Sequence, residues 1–95
     1  MRRAAKIDAN QKQIVKSLRQ LPGVSVAITS QLGEGFVDII VGRKGFNWLI
    51  ELKDGSKPPS ARKLTEDEQE FFDNWTGQIA VCNSFEEVFN LIMSN

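Results

Sequence analysis

Phe36-Val37-Asp38-Ile39-Ile40-Val41-Gly42-Arg43-Lys44-Gly45-Phe46-Asn47-Trp48-Leu49-Ile50-Glu51-Leu52-Lys53 is the stretch that decides how this chain folds. Two runs rich in β-branched and aromatic residues, 36–41 and 46–53, flank a glycine-bounded tip, which is the pattern of a β-hairpin. Side chains alternate along a strand, so Leu49, Glu51 and Lys53 share one face and Trp48, Ile50 and Leu52 the other. Asp38 lies in a run that is otherwise apolar, where an uncompensated carboxylate is costly. If Gly42 faces Gly45, Asp38 faces Leu49, and Glu51 is its diagonal neighbour on the same face, about 7–8 Å away at the backbone. Two carboxylates at that spacing can share one divalent cation. The bland alternative is an Asp-Lys-Glu network that satisfies only itself. Three converging charges with a formal sum of −1 favour a cation.

Outward from the hairpin, the elements follow from periodicity and punctuation. Ile7, Gln11, Ile14, Leu18 and Leu21 recur at helical spacing, Asp8-x-x-Gln11 fits a capping box, and Pro22-Gly23 stops the helix. Val24 to Thr29 reads as a first strand, and Gly33-Glu34-Gly35 as a turn. After a basic loop, Asp54 to Lys63, the sequence Thr65-Glu66-Asp67-Glu68 opens a helix whose buried face is Phe71, Phe72 and Trp75, ended by Gly77. Gln78 to Cys82 is a fourth strand, and Ser84-Phe85-Glu86-Glu87 caps a last helix with Val88, Phe89 and Ile92 inward. The expected order is αβββαβα. It describes one α/β domain over residues 1–95 with a mixed sheet, a three-stranded antiparallel meander joined by a fourth strand through a helical crossover. Residues 1–7 are expected to form a flexible basic arm.

Composition narrows the chemistry. The chain has no histidine, no tyrosine and one cysteine. Ser-His and Cys-His couples and a tyrosyl intermediate are therefore excluded, and a single-chain zinc site is disfavoured. Carboxylates, lysines and hydroxyls remain. Cys82, in an apolar stretch, reads as a buried thiol. The formal net charge of zero conceals a polarity. Residues 1–63 hold all 12 Lys and Arg against five acids, a balance of +7, and residues 64–95 hold seven acids and no base, −7. That asymmetry suits an acidic partner for the first part, although the two parts can equally neutralise each other. No apolar run reaches the ~18 residues of a membrane span, and no signal-peptide core opens the chain. No membrane partner and a cytoplasmic location are expected.

Gly35-Phe36-Val37-Asp38, followed after twelve residues by Glu51-Leu52-Lys53, resembles the PD-(D/E)xK nuclease signature. Leu64-Thr65-Glu66-Asp67-Glu68-Gln69 with Phe72 and Trp75 resembles the helix of its VRR-NUC branch, which is typical of phage and prophage. The likeness runs from about Asp8 to Ile92. It implies a restriction-endonuclease-like core, a bacterial or phage-infected cell, and divalent-metal-dependent endonuclease activity on DNA. It further implies Mg²⁺, with Mn²⁺ able to substitute, held by Asp38, Glu51 and the backbone carbonyl of Leu52. Lys53 would orient or activate the attacking water, and Gln69 would be the active-site glutamine. Val37 stands where the pattern has proline. The first helix offers Gln11 where relatives often place a glutamate; Gln11 is either a ligand to a water of the ion or a capping residue.

Phosphate contacts are expected from among Arg2, Arg3, Lys6, Lys12, Lys16, Arg43, Lys44, Lys57, Arg62 and Lys63, with the hairpin tip and the 57–63 loop foremost. No major-groove reading helix is evident, so recognition of branched DNA or a Holliday junction is expected. Symmetric cutting of a junction would call for a homodimer. The rival expectation is a nucleic-acid-binding module with no chemistry.

Overall fold

The computed structural model describes residues 9–94. The expected basic arm with Arg2, Arg3 and Lys6, and the Asp8 cap, lie outside the described residues. The elements are α1 (Ala9–Arg19), β1 (Ser25–Ile28), β2 (Ile39–Arg43), β3 (Phe46–Leu52), a short 3₁₀ turn (Pro59–Arg62), α2 (Glu66–Asn74), β4 (Ile79–Cys82) and α3 (Phe85–Met93). The sheet order is β1-β2-β3-β4, with β1, β2 and β3 antiparallel in succession and β4 parallel to β3. The αβββαβα order and the helical crossover are as the sequence predicts.

One face of the sheet builds the core. Ile39, Val41, Trp48, Ile50 and Leu52 alternate along β2 and β3 onto that face and meet Ile14, Val15 and Leu18 of α1 and Val88 and Ile92 of α3. Each fully buried aliphatic side chain there contributes about 1.5–3 kcal/mol of transfer free energy. Cys82 is buried with them, and burial pushes its thiol up to about 11, so it is an inert part of the packing.

The hairpin turn sits one residue further along than expected, which shifts the pairing register by two. Arg43 pairs with Phe46 and Ile39 with Ile50, so Lys44 and Gly45 form the turn, with φ of 53° and 84°. A two-residue type I′ turn needs positive φ at both central positions. An Arg43-Lys44 centre would force two side-chain-bearing residues into that region, whereas Gly45 takes one of the positions without steric cost. The register shift is even, so no side chain changes face. Continuing the register outward brings Asp38 level with Glu51 instead of Leu49. Asp38 itself lies just before β2, not inside it. Its backbone is held on both sides, its N–H donating to Ile50 O (3.2 Å) and its carbonyl accepting from Thr29 N–H (2.8 Å).

α2 differs most from expectation. No residue of it is fully buried, and Trp75 is 40% exposed. The helix leans on the 33–37 segment and covers no sheet face: Phe36 meets Phe71 edge-on at 5.1 Å, and Phe71 stacks on Trp75 at 5.3 Å. Gly35, with φ of 79°, makes this approach possible. A Cβ there would lie 2.5 Å from the carbonyl oxygen of Asp67. Gly35→Ala should therefore destabilise the fold by about 1–3 kcal/mol, read as a fall in Tm of several degrees. An unaltered melt would show that α2 is not seated on this glycine.

Candidate active site

β2 begins beside the end of β3, and the polar residues of the hairpin gather there. A cleft of about 370 Å³ opens there, lined by Asp38, Glu51, Leu52, Lys53, Gln11 and Glu68 among others. Asp38 Oδ2 accepts the N–H of Leu52 at 2.9 Å, taking up a strand donor where β2 has not yet begun. Lys53 is anchored by its N–H donating to Cys82 O at 3.0 Å, and its carbonyl accepts from Asn10 Nδ2 at 3.3 Å. Its ammonium lies 3.4 Å from Glu51 Oε2 and 3.0 Å from Glu68 Oε1. Asp38, Glu51 and Lys53 are thus in one cleft, as their strand positions predict.

Glu68 belongs to the site and is not singled out for it by the sequence reading. It was legible only as the third helical residue of a capping box, and that box is complete. Thr65 Oγ accepts the N–H of Glu68 (3.2 Å), and Glu68 Oε1 accepts the N–H of Thr65 (2.9 Å). The backward reach of a capping-box glutamate carries its carboxylate toward the end of β3, and this was the available signal. Gln69, the expected active-site glutamine, lies one residue further round the helix. It is exposed, does not line the cleft, and donates from Nε2 to Asp73 Oδ1 at 2.9 Å. The capping register turns Glu68 to the cleft, and Gln69 turns away.

Gln11 is 4% exposed and lines the cleft, its Nε2 donating to Ser30 Oγ at 3.2 Å. Asn10 and Ser30, not singled out in the sequence, join it there.

Three carboxylates face one ammonium, and the titrations follow. Burial, then the charges of Asp38 and Glu68, push Glu51 up to about 9. Burial also raises Asp38, against the pull of the Leu52 N–H and the Lys53 charge. Burial works to lower Lys53, but the hydrogen bond and charge of Glu68, with Glu51 behind it, hold it above the usual lysine value. Burial works to raise Glu68, yet its bonds from Thr65 and Lys53 leave it lowered. Lys53 therefore serves Glu68 first, and Glu51 carries the unbalanced burden. At 4% exposure, Glu51 is an acid that only a proton or a cation can neutralise.

The donor chemistry fits a hard divalent cation: two buried or half-buried carboxylates, Asp38 and Glu51, with the Leu52 peptide beside them. Among the described residues no three Asp, Glu, Cys or His converge as a ready-made cation cage. Magnesium sites commonly use only one or two protein carboxylates, so a two-acid site is within their range.

The basic residues divide. Lys57 lines the cleft, and Arg62 Nε donates to the Lys57 carbonyl at 2.8 Å, closing the loop. Lys63 is exposed at the end of the same loop. The hairpin tip does not belong with them. Arg43 Nη1 donates to Ile92 O at 2.9 Å, tying β2 to the end of α3. Lys44 is six residues from Asp38 along an extended chain, about 20 Å at ~3.3 Å per residue. The tip is at the far end of the sheet because the meander turns there, so Arg43 and Lys44 stand apart from the 57–63 loop.

Comparison with protein-family models, with curated proteins and with solved structures finds no match to this chain.

Proposed function

We propose that this protein is a divalent-metal-dependent nuclease that hydrolyses DNA phosphodiester bonds, with branched DNA such as a four-way junction as the substrate shape to test first. One observation supports it above the rest: Asp38, Glu51 and Lys53 meet in a single cleft in which Glu51 is buried and lacks full charge compensation. Asp38 and Glu51 would hold the ion, with Leu52 contributing its carbonyl. When bound, a divalent ion supplies Lewis acidity and neutralises phosphate charge.

The remaining work falls to the chain's own groups. Lys53, kept protonated by Glu68 and Glu51, places a positive charge at the mouth of the cleft, where negative charge on a phosphate would grow during in-line attack. Glu68 fixes the ammonium and prevents it from folding fully onto Glu51. Gln11 and Ser30 offer neutral hydrogen-bonding groups for a water or phosphate oxygen. Lys57, in the open loop, supplies a contact to a flanking phosphate.

A second reading has its own support. Asp38 already bonds the Leu52 N–H, and Lys53 is engaged by two acids, so the cluster can be a structural network in a binding module without chemistry. Calorimetric titration with Mg²⁺ or Mn²⁺, together with cleavage assays on linear duplex, flap and four-way DNA, separates the two. The nuclease reading expects metal affinity that falls about ten-fold or more in Asp38→Ala, the scale of a supporting ligand's removal, and metal-dependent cutting of at least one DNA. A parent protein that binds neither ion, or cuts none of these DNAs with either, removes it.

A further inference from the structure

Three further grooves share lining residues with the cleft, and they differ in charge. Asp67 is common to one floored by Phe71 and Trp75 and rimmed by Glu34 and Glu70. Asn10 and Asp54 are common to a second that carries Glu87 and no base. Gln11 is common to the third, about 520 Å³ along α1, where Lys12, Lys16 and Arg19 stand beside Val15 and Ile28. Acids repel a polyanion from the first two. Every charged residue of the third is a base.

We infer that the nucleic-acid strand leaves the cleft past Gln11 and runs along α1, its phosphates on Lys12, Lys16 and Arg19. This rests on the nuclease reading of the cleft. The three residues occupy one side of the helix at i, i+4 and i+7, spanning about 10 Å at ~1.5 Å per residue, which corresponds to about three nucleotides at ~3.4 Å of duplex axis per strand. Lys12 and Lys16 are exposed, and the ion pairs among the described residues both belong to Lys53, so these two ammonium groups are available to an anion. Arg19 is oriented along the groove by donating from Nη2 to Val26 O at 2.9 Å. Ile28, 48% exposed, gives the groove an apolar wall against which a sugar can rest. Lys57 lines the cleft itself, where the strand would enter this path.

The partner surface is therefore α1, and the hairpin tip plays no part in it. The test is fluorescence anisotropy of a labelled short DNA duplex over a range of salt concentrations, with Ca²⁺ replacing Mg²⁺ to prevent turnover. The parent protein, Lys12→Ala/Lys16→Ala and Lys44→Asn are compared. Both α1 positions are exposed and alanine favours helix, so the double variant should fold, as its melt will verify. Asn tolerates the positive φ of residue 44. The double variant should bind about ten-fold more weakly or worse at low salt. Its slope of log K against log salt should be flatter by about 2, since each phosphate that the protein ceases to neutralise removes near 0.9. An unchanged slope in the double variant, or a flattening seen instead in Lys44→Asn, overturns the α1 path while leaving the nuclease reading in place. A parent protein that neither binds nor cuts DNA overturns both.

Discussion

Lys53→Ala is expected to slow metal-dependent phosphodiester cleavage by about 10²–10³-fold, the usual effect of deleting one preorganised charge aimed at a developing anion. The variant should remain folded. The core lies on the opposite sheet face and contains none of the cleft charges, and the backbone N–H of residue 53 keeps its bond to Cys82 O. Removing the 3.0 Å hydrogen bond to Glu68 should cost about 1.5–3 kcal/mol, as for a bond between charged groups. The melt should therefore shift down and stay cooperative, while single-turnover cleavage at saturating protein falls. Cutting at the parent rate by a folded Lys53→Ala protein would end the nuclease proposal.

Glu51→Gln should separate stability from metal response. In metal-free buffer the folded protein holds the Glu51 proton up to about pH 9, whereas the unfolded chain releases it near 4.5. Between those values the native state binds the extra proton, so its stability is greatest near pH 4.5 and declines as pH rises, by up to ~1.4 kcal/mol per pH unit. Asp38, also raised, adds to the decline just above its ordinary value. Lys53, raised from 10.5, and Glu68, lowered from 4.5, act above and below this window. Glutamine cannot ionise. At pH 8 without metal the variant should melt above the parent, by several degrees at the ~4–8 °C per kcal/mol typical of a domain this size. Added Mg²⁺ should raise the parent Tm, and more at pH 8 than at pH 5, where a proton competes for Glu51. The variant should not respond. A parent melt that is flat from pH 5 to 9, or an equal magnesium shift in the glutamine variant, would refute the assignment of Glu51 as the strained acid of the site.

Much of the fold was legible because the chain states it twice, once in hydrophobic period and once in punctuation. β3 alternates cleanly between core and cleft, so the common direction of Glu51 and Lys53 could be read directly. Asp38 keeps its face although the register differs by two, because an even shift preserves alternation, and a shift of one would turn it into the core. The position of the hairpin tip differs because Gly42 and Gly45 both qualify as turn residues, and φ alone distinguishes them. α2 differs for another reason. Phe71, Phe72 and Trp75 have a buried-looking spacing, but Phe71 meets the loop residue Phe36 and Trp75 stacks on Phe71 itself, and periodicity does not reveal the partner of a face. Glu68 and Gln69 show the same limit at finer scale, since one residue of helical rotation separates a side chain in the cleft from one in solvent.

Glu68 holds the first turn of α2 and the Lys53 ammonium with the same oxygen. Fraying of that turn and release of the amine are consequently a single event. Amide exchange at Glu68 and the mobility of the lysine Nζ should share one opening rate, giving the cleft a built-in clock set by how often a helix end breathes.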